Sequence, residues 1–208
     1  MRPAGRIALR HPGLLLLVLL GLAGCDRAPR LAPLAGDAVI LAFGDSLTFG
    51  SGAGAEQSYP AQLGQLSGRQ VVRSGVPGEL SDAGLARLPA ELAAHRPALL
   101  LLCHGGNDLL RKQSRAQLAA NLRAMVALAR AQGVAVVLIG VPRPGLLLGT
   151  DPLYRELADE LDLPLEDEAL AQILADSRLK SDAVHPNALG YRQLAARVHD
   201  LLRGAGAL

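Results

Sequence analysis

The chain has 208 residues and is 50% apolar, enough for one domain with a full core. Aromatic residues make up only 2%, so the core is expected to consist of Leu, Val, Ile and Ala. The formal charge of +2 gives no ground for a nucleic-acid partner: removing the three arginines within residues 1–24, which hold no acid, leaves 18 basic against 19 acidic residues.

Arg2, Arg6 and Arg10 form a basic leader, followed by an apolar stretch from Leu14 to Leu22. That stretch is far short of the roughly 20 residues of a spanning helix. Leu22-Ala23-Gly24-Cys25 resembles the lipobox of bacterial lipoprotein signals. Small residues at 23 and 24 suit a peptidase, and the thiol of Cys25 would take the diacylglycerol. The other reading is a plain secretory signal followed by an incidental cysteine. The lipoprotein reading makes 1–24 a signal peptide, 25–36 a lipid-attached tether and 37–208 the folded domain. It places the protein in the cell envelope, membrane-anchored through Cys25 and facing the periplasm. Asp26 resembles an inner-membrane retention signal, which favours that membrane over the outer one. Cys103 is then the sole thiol, expected as a small buried hydrophobe, and no intrachain disulfide can form.

Further along, short apolar or β-branched runs predict strands at 38–43, 70–73, 98–103 and 134–139. Between and after them, Leu118, Leu122, Met125, Val126 and Ala129 share one helical face in 116–130. Leu194, Val198, Leu201 and Leu202 share another in 187–202. Alternating helices and continuous apolar strands mean an α/β fold in three layers, with a central parallel sheet of about five strands covered on both sides. A short fifth strand near Leu163-Pro164-Leu165 would complete a flavodoxin-like order. Ligands bind beyond the carboxyl ends of such strands.

Ser46 follows the first strand in Gly44-Asp45-Ser46-Leu47, and Asp182 and His185 lie three apart before the last helix. A hydroxyl, an imidazole and a carboxylate are the three parts of an activated serine nucleophile. Asp45 and Asp108 read as turn or capping residues, Asn187 as a helix cap, and His104 as structural. Gly50-x-Gly52-x-x-Ala55 matches a loose dinucleotide fingerprint but starts six residues after the turn glycine Gly44, and no phosphate loop is present. No Gly-x-Ser-x-Gly elbow exists, which argues against the ordinary α/β-hydrolases.

These blocks resemble the GDSL, or SGNH, serine hydrolases. Gly44-Asp45-Ser46-Leu47 looks like their first block, Gly78 in Val76-Pro77-Gly78-Glu79 falls at the oxyanion glycine, Gly105-Gly106-Asn107-Asp108 looks like the asparagine block, and Asp182-x-x-His185 looks like the last. The match covers nearly all of 38–203 and looks closest to the bacterial arylesterase, acyl thioesterase and lysophospholipase group. It implies an SGNH hydrolase domain with Ser46, Asp182 and His185 as catalytic residues. The backbone N–H groups of Ser46 and Gly78 and the Asn107 amide would form the oxyanion hole. Two positions depart from the family: Arg73 stands where it often has Asn, and Leu80-Ser81 where it often has Thr-Ser.

The implied reaction is cleavage of an acyl ester or thioester. Leu109 and Leu146-Leu147-Leu148 are candidates for a shallow acyl groove, or for packing beneath their loops. Arg111 and Arg143 can meet a phosphate or carboxylate, or stay solvated. No cofactor is expected, and no His-x-x-x-His or Cys-x-x-Cys spacing points to a metal. Two other functions stay open: a carbohydrate or peptidoglycan O-acetylesterase, and a non-catalytic lipid- or glycan-binding lipoprotein.

Overall fold

The computed structural model describes residue 1, residues 29–143, residue 145 and residues 149–208. The signal, the lipobox with Cys25, and Leu146, Leu147 and Leu148 lie outside the described residues.

Five parallel strands form the sheet: β1 (Val39–Gly44), β2 (Gln70–Gly75), β3 (Leu99–Cys103), β4 (Ala135–Ile139) and β5 (Leu165–Glu166). Their order, β2-β1-β3-β4-β5, is the expected flavodoxin-like one. β1 pairs on both sides, and every residue of β3 is buried, as befits a strand covered on both faces. β5 has two residues and begins just after Pro164, whose carbonyl accepts Leu138 N–H at 2.9 Å although its own nitrogen cannot donate.

Helices α1 (Ser46–Phe49), α2 (Tyr59–Ser67), α3 (Ser81–His95), α4 (Gly106–Leu110), α5 (Arg115–Ala131), α6 (Pro152–Leu161), α7 (Ala169–Ala175) and α8 (Ala188–Ala205) connect the strands or follow them. α2 and α7 pack on α8, whereas α3 and α6 pack on α5. On α5 the expected face of Leu118, Leu122, Met125, Val126 and Ala129 is buried; on α8 Leu194, Val198 and Leu202 are buried and Leu201 half-buried.

The core corrects the composition argument. Tyr59, Tyr154 and Tyr191 are fully buried, alongside Phe43, at its centre. Each hydroxyl has a partner: Thr48 Oγ1 at 3.3 Å, His104 O at 2.8 Å and Ser51 O at 2.8 Å respectively. A few aromatics, each with its polar tip satisfied, fill space the aliphatic residues leave.

The segment read as a tether is also shorter than expected. Leu31 N–H donates to Ala205 O and Leu34 N–H to Ala207 O, both at 2.9 Å, and both leucines pack against the core. From Leu31 onward the chain is docked on the far end of α8.

At the carboxyl edge of the sheet the strands close tightly. Gly44 pairs with Gly75 on one side and Cys103 on the other. A Cβ on Gly44 would lie 1.8 Å from Cys103 O, and one on Gly75 would lie 2.2 Å from Phe49 N. Only glycine lets α1 fold down against these strand ends, which sets Ser46 directly above them.

Candidate active site

Ser46 is the first residue of α1, and Asp45 caps that helix by accepting Leu47 N–H at 3.0 Å. Its hydroxyl meets His185 Nε2 at 3.0 Å, and His185 Nδ1 meets Asp182 Oδ2 at 2.8 Å. Asp182 Oδ1 accepts the N–H of Val184 at 2.8 Å and of His185 at 2.9 Å, so the turn that carries the pair is built around the carboxylate. Ser181 N–H donates to His185 O at 2.9 Å, and Asn187 N–H to Leu179 O at 2.9 Å, pinning both ends of the turn. Asn187 also caps α8, as its position suggested. Hydroxyl, imidazole and carboxylate therefore form one hydrogen-bonded chain, which can pass a proton from Ser46 to His185 while Asp182 fixes the ring.

Gly78 sits at the third position of a turn that Glu79 N–H closes on Val76 O at 3.2 Å. Pro77 before it and φ +78° at Gly78 fit a type II turn, where a side chain would be strained. Among the described residues no acceptor takes the N–H of Ser46 or Gly78. Asn107 is on α4, and its Nδ2 donates to Glu79 O at 3.1 Å and more distantly to Asp45 Oδ2 at 3.4 Å. Ser46, Gly78, Asn107 and His185 all line one cavity of about 500 Å³, together with Leu47, Pro77, Leu110, Val141, Pro142, Leu174 and Val184. The lining is mainly apolar and can hold a hydrocarbon beside the hydroxyl.

Six positions need revision or placement. Leu109 packs against the core; the next residue, Leu110, is 45% exposed and lines the cavity. One helical step turns a side chain by about 100°, and the Leu-Leu pair alone did not say which points outward. Arg143 lines the cavity, and Arg111 Nη2 donates to Gly78 O at 3.2 Å. Gly50 and Gly52 have φ near +90°, and a Cβ on Gly52 would lie 2.1 Å from Ser181 Oγ. Gly52 thus packs the post-serine loop against the histidine turn, and Gly50 packs it against Ser58, where a Cβ would lie 2.5 Å from that residue's Cβ.

Asp108 faces away from the cavity. Its Oδ2 accepts Ser81 N–H at 2.9 Å and its Oδ1 the Ser81 hydroxyl at 2.6 Å, so it caps α3 from across the fold. Burial pushes the Asp45 carboxyl above the ordinary carboxylate value, against the pull of His104 and of the Leu47 and Gly106 N–H groups. Burial likewise pushes the Cys103 thiol up, which suits a core residue and not a nucleophile.

A cluster the sequence did not reveal lies behind Gly78 and Asn107. Arg87 and His104 both bond the Glu79 carboxylate there. Burial works against the Glu79 carboxylate, yet the Arg87 and His104 hydrogen bonds hold its pKa down at about 2. Glu79 and Arg87 are eight residues apart, on a turn and on a helix, and no periodicity links them.

Residues 42–193 match the GDSL-like Lipase/Acylhydrolase family. The chain is 38% identical over 128 residues to Esterase TesA of Pseudomonas aeruginosa, covering 59% of this chain and 64% of that protein. It is 32% identical over 156 residues to Thioesterase 1/protease 1/lysophospholipase L1 of Escherichia coli (strain K12), covering 71% of this chain and 75% of that one. The crystal structure of TesA superposes with a TM-score of 0.72 at 30% identity, over 80% of this chain and 99% of that one. With the family matched across most of the folded domain, and its four blocks gathered round one cavity, the chain belongs to the GDSL-like lipase/acylhydrolase family of serine ester hydrolases.

Proposed function

We propose that the protein cleaves acyl ester or thioester bonds through an acyl-enzyme on Ser46. The observation that carries this is the unbroken chain Ser46 Oγ–His185 Nε2 at 3.0 Å and His185 Nδ1–Asp182 Oδ2 at 2.8 Å. Ser46 Oγ attacks the carbonyl carbon as its proton passes to His185. The carbonyl oxygen becomes negative and is met by the N–H groups of Ser46 and Gly78 and the Asn107 amide; one such donor is typically worth about 3–4 kcal/mol of barrier. His185 then protonates the leaving alcohol or thiol, the acyl group stays on Ser46, and water deacylates it by the same relay in reverse.

The apolar lining around Leu110, Val141 and Leu174 supports an acyl chain of short to medium length over acetyl alone. The test is hydrolysis of aryl esters of rising chain length by the wild type and by Ser46→Ala. A rise in kcat/KM beyond acetyl, abolished by Ser46→Ala, is expected. Full activity in pure Ser46→Ala protein removes the serine mechanism, and a profile falling steadily from acetyl favours an O-acetylesterase.

The Leu22-Ala23-Gly24-Cys25 motif supports a second part of the reading: Cys25 carries lipid and holds the domain on a membrane facing the periplasm. Two acyl chains suffice for stable anchoring. Metabolic labelling with a fatty-acid probe should tag the wild type and not Cys25→Ser; an untagged, water-soluble wild type refutes it.

A further inference from the structure

Behind the proposed oxyanion donors lies an ion cluster sealed from the cavity. The Glu79 side chain is 7% exposed and that of His104 is fully buried. Arg87 Nε donates to Glu79 Oε1 at 2.9 Å and its Nη2 to Oε2 at 2.8 Å. His104 Nδ1 accepts Gly105 N–H at 2.9 Å, which assigns the ring proton to Nε2, and that atom lies 3.2 Å from Glu79 Oε2. Arg87 reaches on to Ser74 Oγ at 2.5 Å and Gly44 O at 3.4 Å, and stacks 4.2 Å over the Phe43 ring. The cluster thus binds the carboxyl ends of β1, β2 and β3 to one carboxylate.

That carboxylate belongs to the residue on which two of the three oxyanion donors, Gly78 and Asn107, depend. Glu79 directly follows Gly78, and its carbonyl accepts Asn107 Nδ2 at 3.1 Å, the shorter of the two contacts that amide makes; the other, to Asp45 Oδ2, is 3.4 Å long, and Asn107 itself lines the cavity. Buried ion pairs contribute little net stability compared with a well-packed apolar core. One at this point has a better use in fixing position. Resting on the hydrolase reading above, we propose that Glu79, clamped by Arg87 and His104, is the positioning residue of the oxyanion hole. It holds the Gly78 N–H and the Asn107 amide at a fixed separation while charge develops between them. Gly84 of α3 belongs to the device: a Cβ there would lie 2.3 Å from His104 Nε2, so glycine leaves the ring its place.

The test uses Glu79→Gln and Gly84→Ala in the full folded domain. Competent sites are counted by titration with an organophosphonate, so that kcat is expressed per reactive Ser46. Both variants should lose about 10- to 100-fold in kcat with KM within about twofold. Binding of an alkylboronic acid, whose serine adduct places an oxygen on the same donors, should weaken by the same factor. Gly84→Ala is the sharper probe, because alanine favours a helix and touches no substrate, yet it displaces His104. Val198→Ala, in the core face of α8, serves as the stability control and should lower the melting temperature without changing kcat per site. Unchanged kcat per site in Glu79→Gln and Gly84→Ala, or an equal loss in Val198→Ala, overturns the proposal. Failure of the phosphonate to label the wild type overturns the hydrolase reading instead.

Discussion

Asp182 holds His185 through both carboxylate oxygens: Oδ2 meets ring Nδ1 at 2.8 Å, and Oδ1 accepts the backbone N–H of the same residue at 2.9 Å. Asp182→Asn keeps the shape of the turn but offers the ring an amide that supports the wrong tautomer. The expected loss in kcat is about 10³- to 10⁴-fold, smaller than for Ser46→Ala or His185→Ala. Steady-state kinetics on one aryl ester checks the order of the three.

Activity should fall at acid pH, because His185 can accept the Ser46 proton only when its ring is neutral. Asp182 does not share in this loss. Its slight burial disfavours the charge, but the His185 ring and two N–H groups outweigh that and hold its carboxyl below the ordinary value. A pH–rate profile should therefore show one acid limb. EDTA should leave the rate unchanged; inhibition by chelator, reversed by zinc or manganese, would point to a metal mechanism.

Stability should have a separate acid limb, set by Glu79. Its folded pKa of about 2 lies below the ordinary 4.5, so its contribution is complete above about pH 4.5 and is lost as pH falls toward 2. Urea midpoints measured across that window should drop in the wild type. In Glu79→Gln that part of the drop should be missing.

Asn107 and Asp108 are adjacent and should fail differently. Asn107→Ala should lower kcat by about 10²- to 10³-fold with little change in melting. Asp108→Ala strips α3 of its cap at Ser81, leaving buried donors without acceptors, and should cost about 2–3 kcal/mol of stability. Urea unfolding together with kinetics at a temperature where both variants are folded separates the two effects.

Leu110 should set part of the chain-length preference. Each buried methylene is worth about 0.8 kcal/mol, or about fourfold in kcat/KM. Leu110→Ser should flatten the rise with chain length while acetyl-ester turnover stays near wild type. The same change at Leu109, which packs on the core, should instead reduce stability.

Much of this architecture was legible because strong local signals agreed. Continuous apolar strands such as Leu99–Cys103 state a covered parallel sheet, and the sheet order brings residues 46, 78, 107 and 185 to one edge. Ser46, Asp182 and His185 stood out because each lies in a short block with a chemical reason for its spacing. The rest depends on contacts between distant segments. Whether Leu109 or Leu110 faces the cavity depends on the rotation of a five-residue helix. That Asp108 caps Ser81, or that Arg87 clamps Glu79, depends on how α3 crosses β1 and α5. Leu31 and Leu34 carried no repeating pattern, so their docking on the end of α8 was hidden among tether-like neighbours.

That docking fixes how the molecule is presented. α8 has 18 residues, about 27 Å of helix, beginning beside the histidine turn and ending where Leu31 pairs with Ala205. Any leash upstream of Leu31 therefore pulls on the pole opposite the cavity mouth. A bulky fusion or a solid support attached there leaves the mouth facing outward and unobstructed. The segment after α8 has no such freedom: Ala205 and Ala207 are buried, and their carbonyls hold the incoming segment, so deleting residues 205–208 would release Leu31 and Leu34 as well.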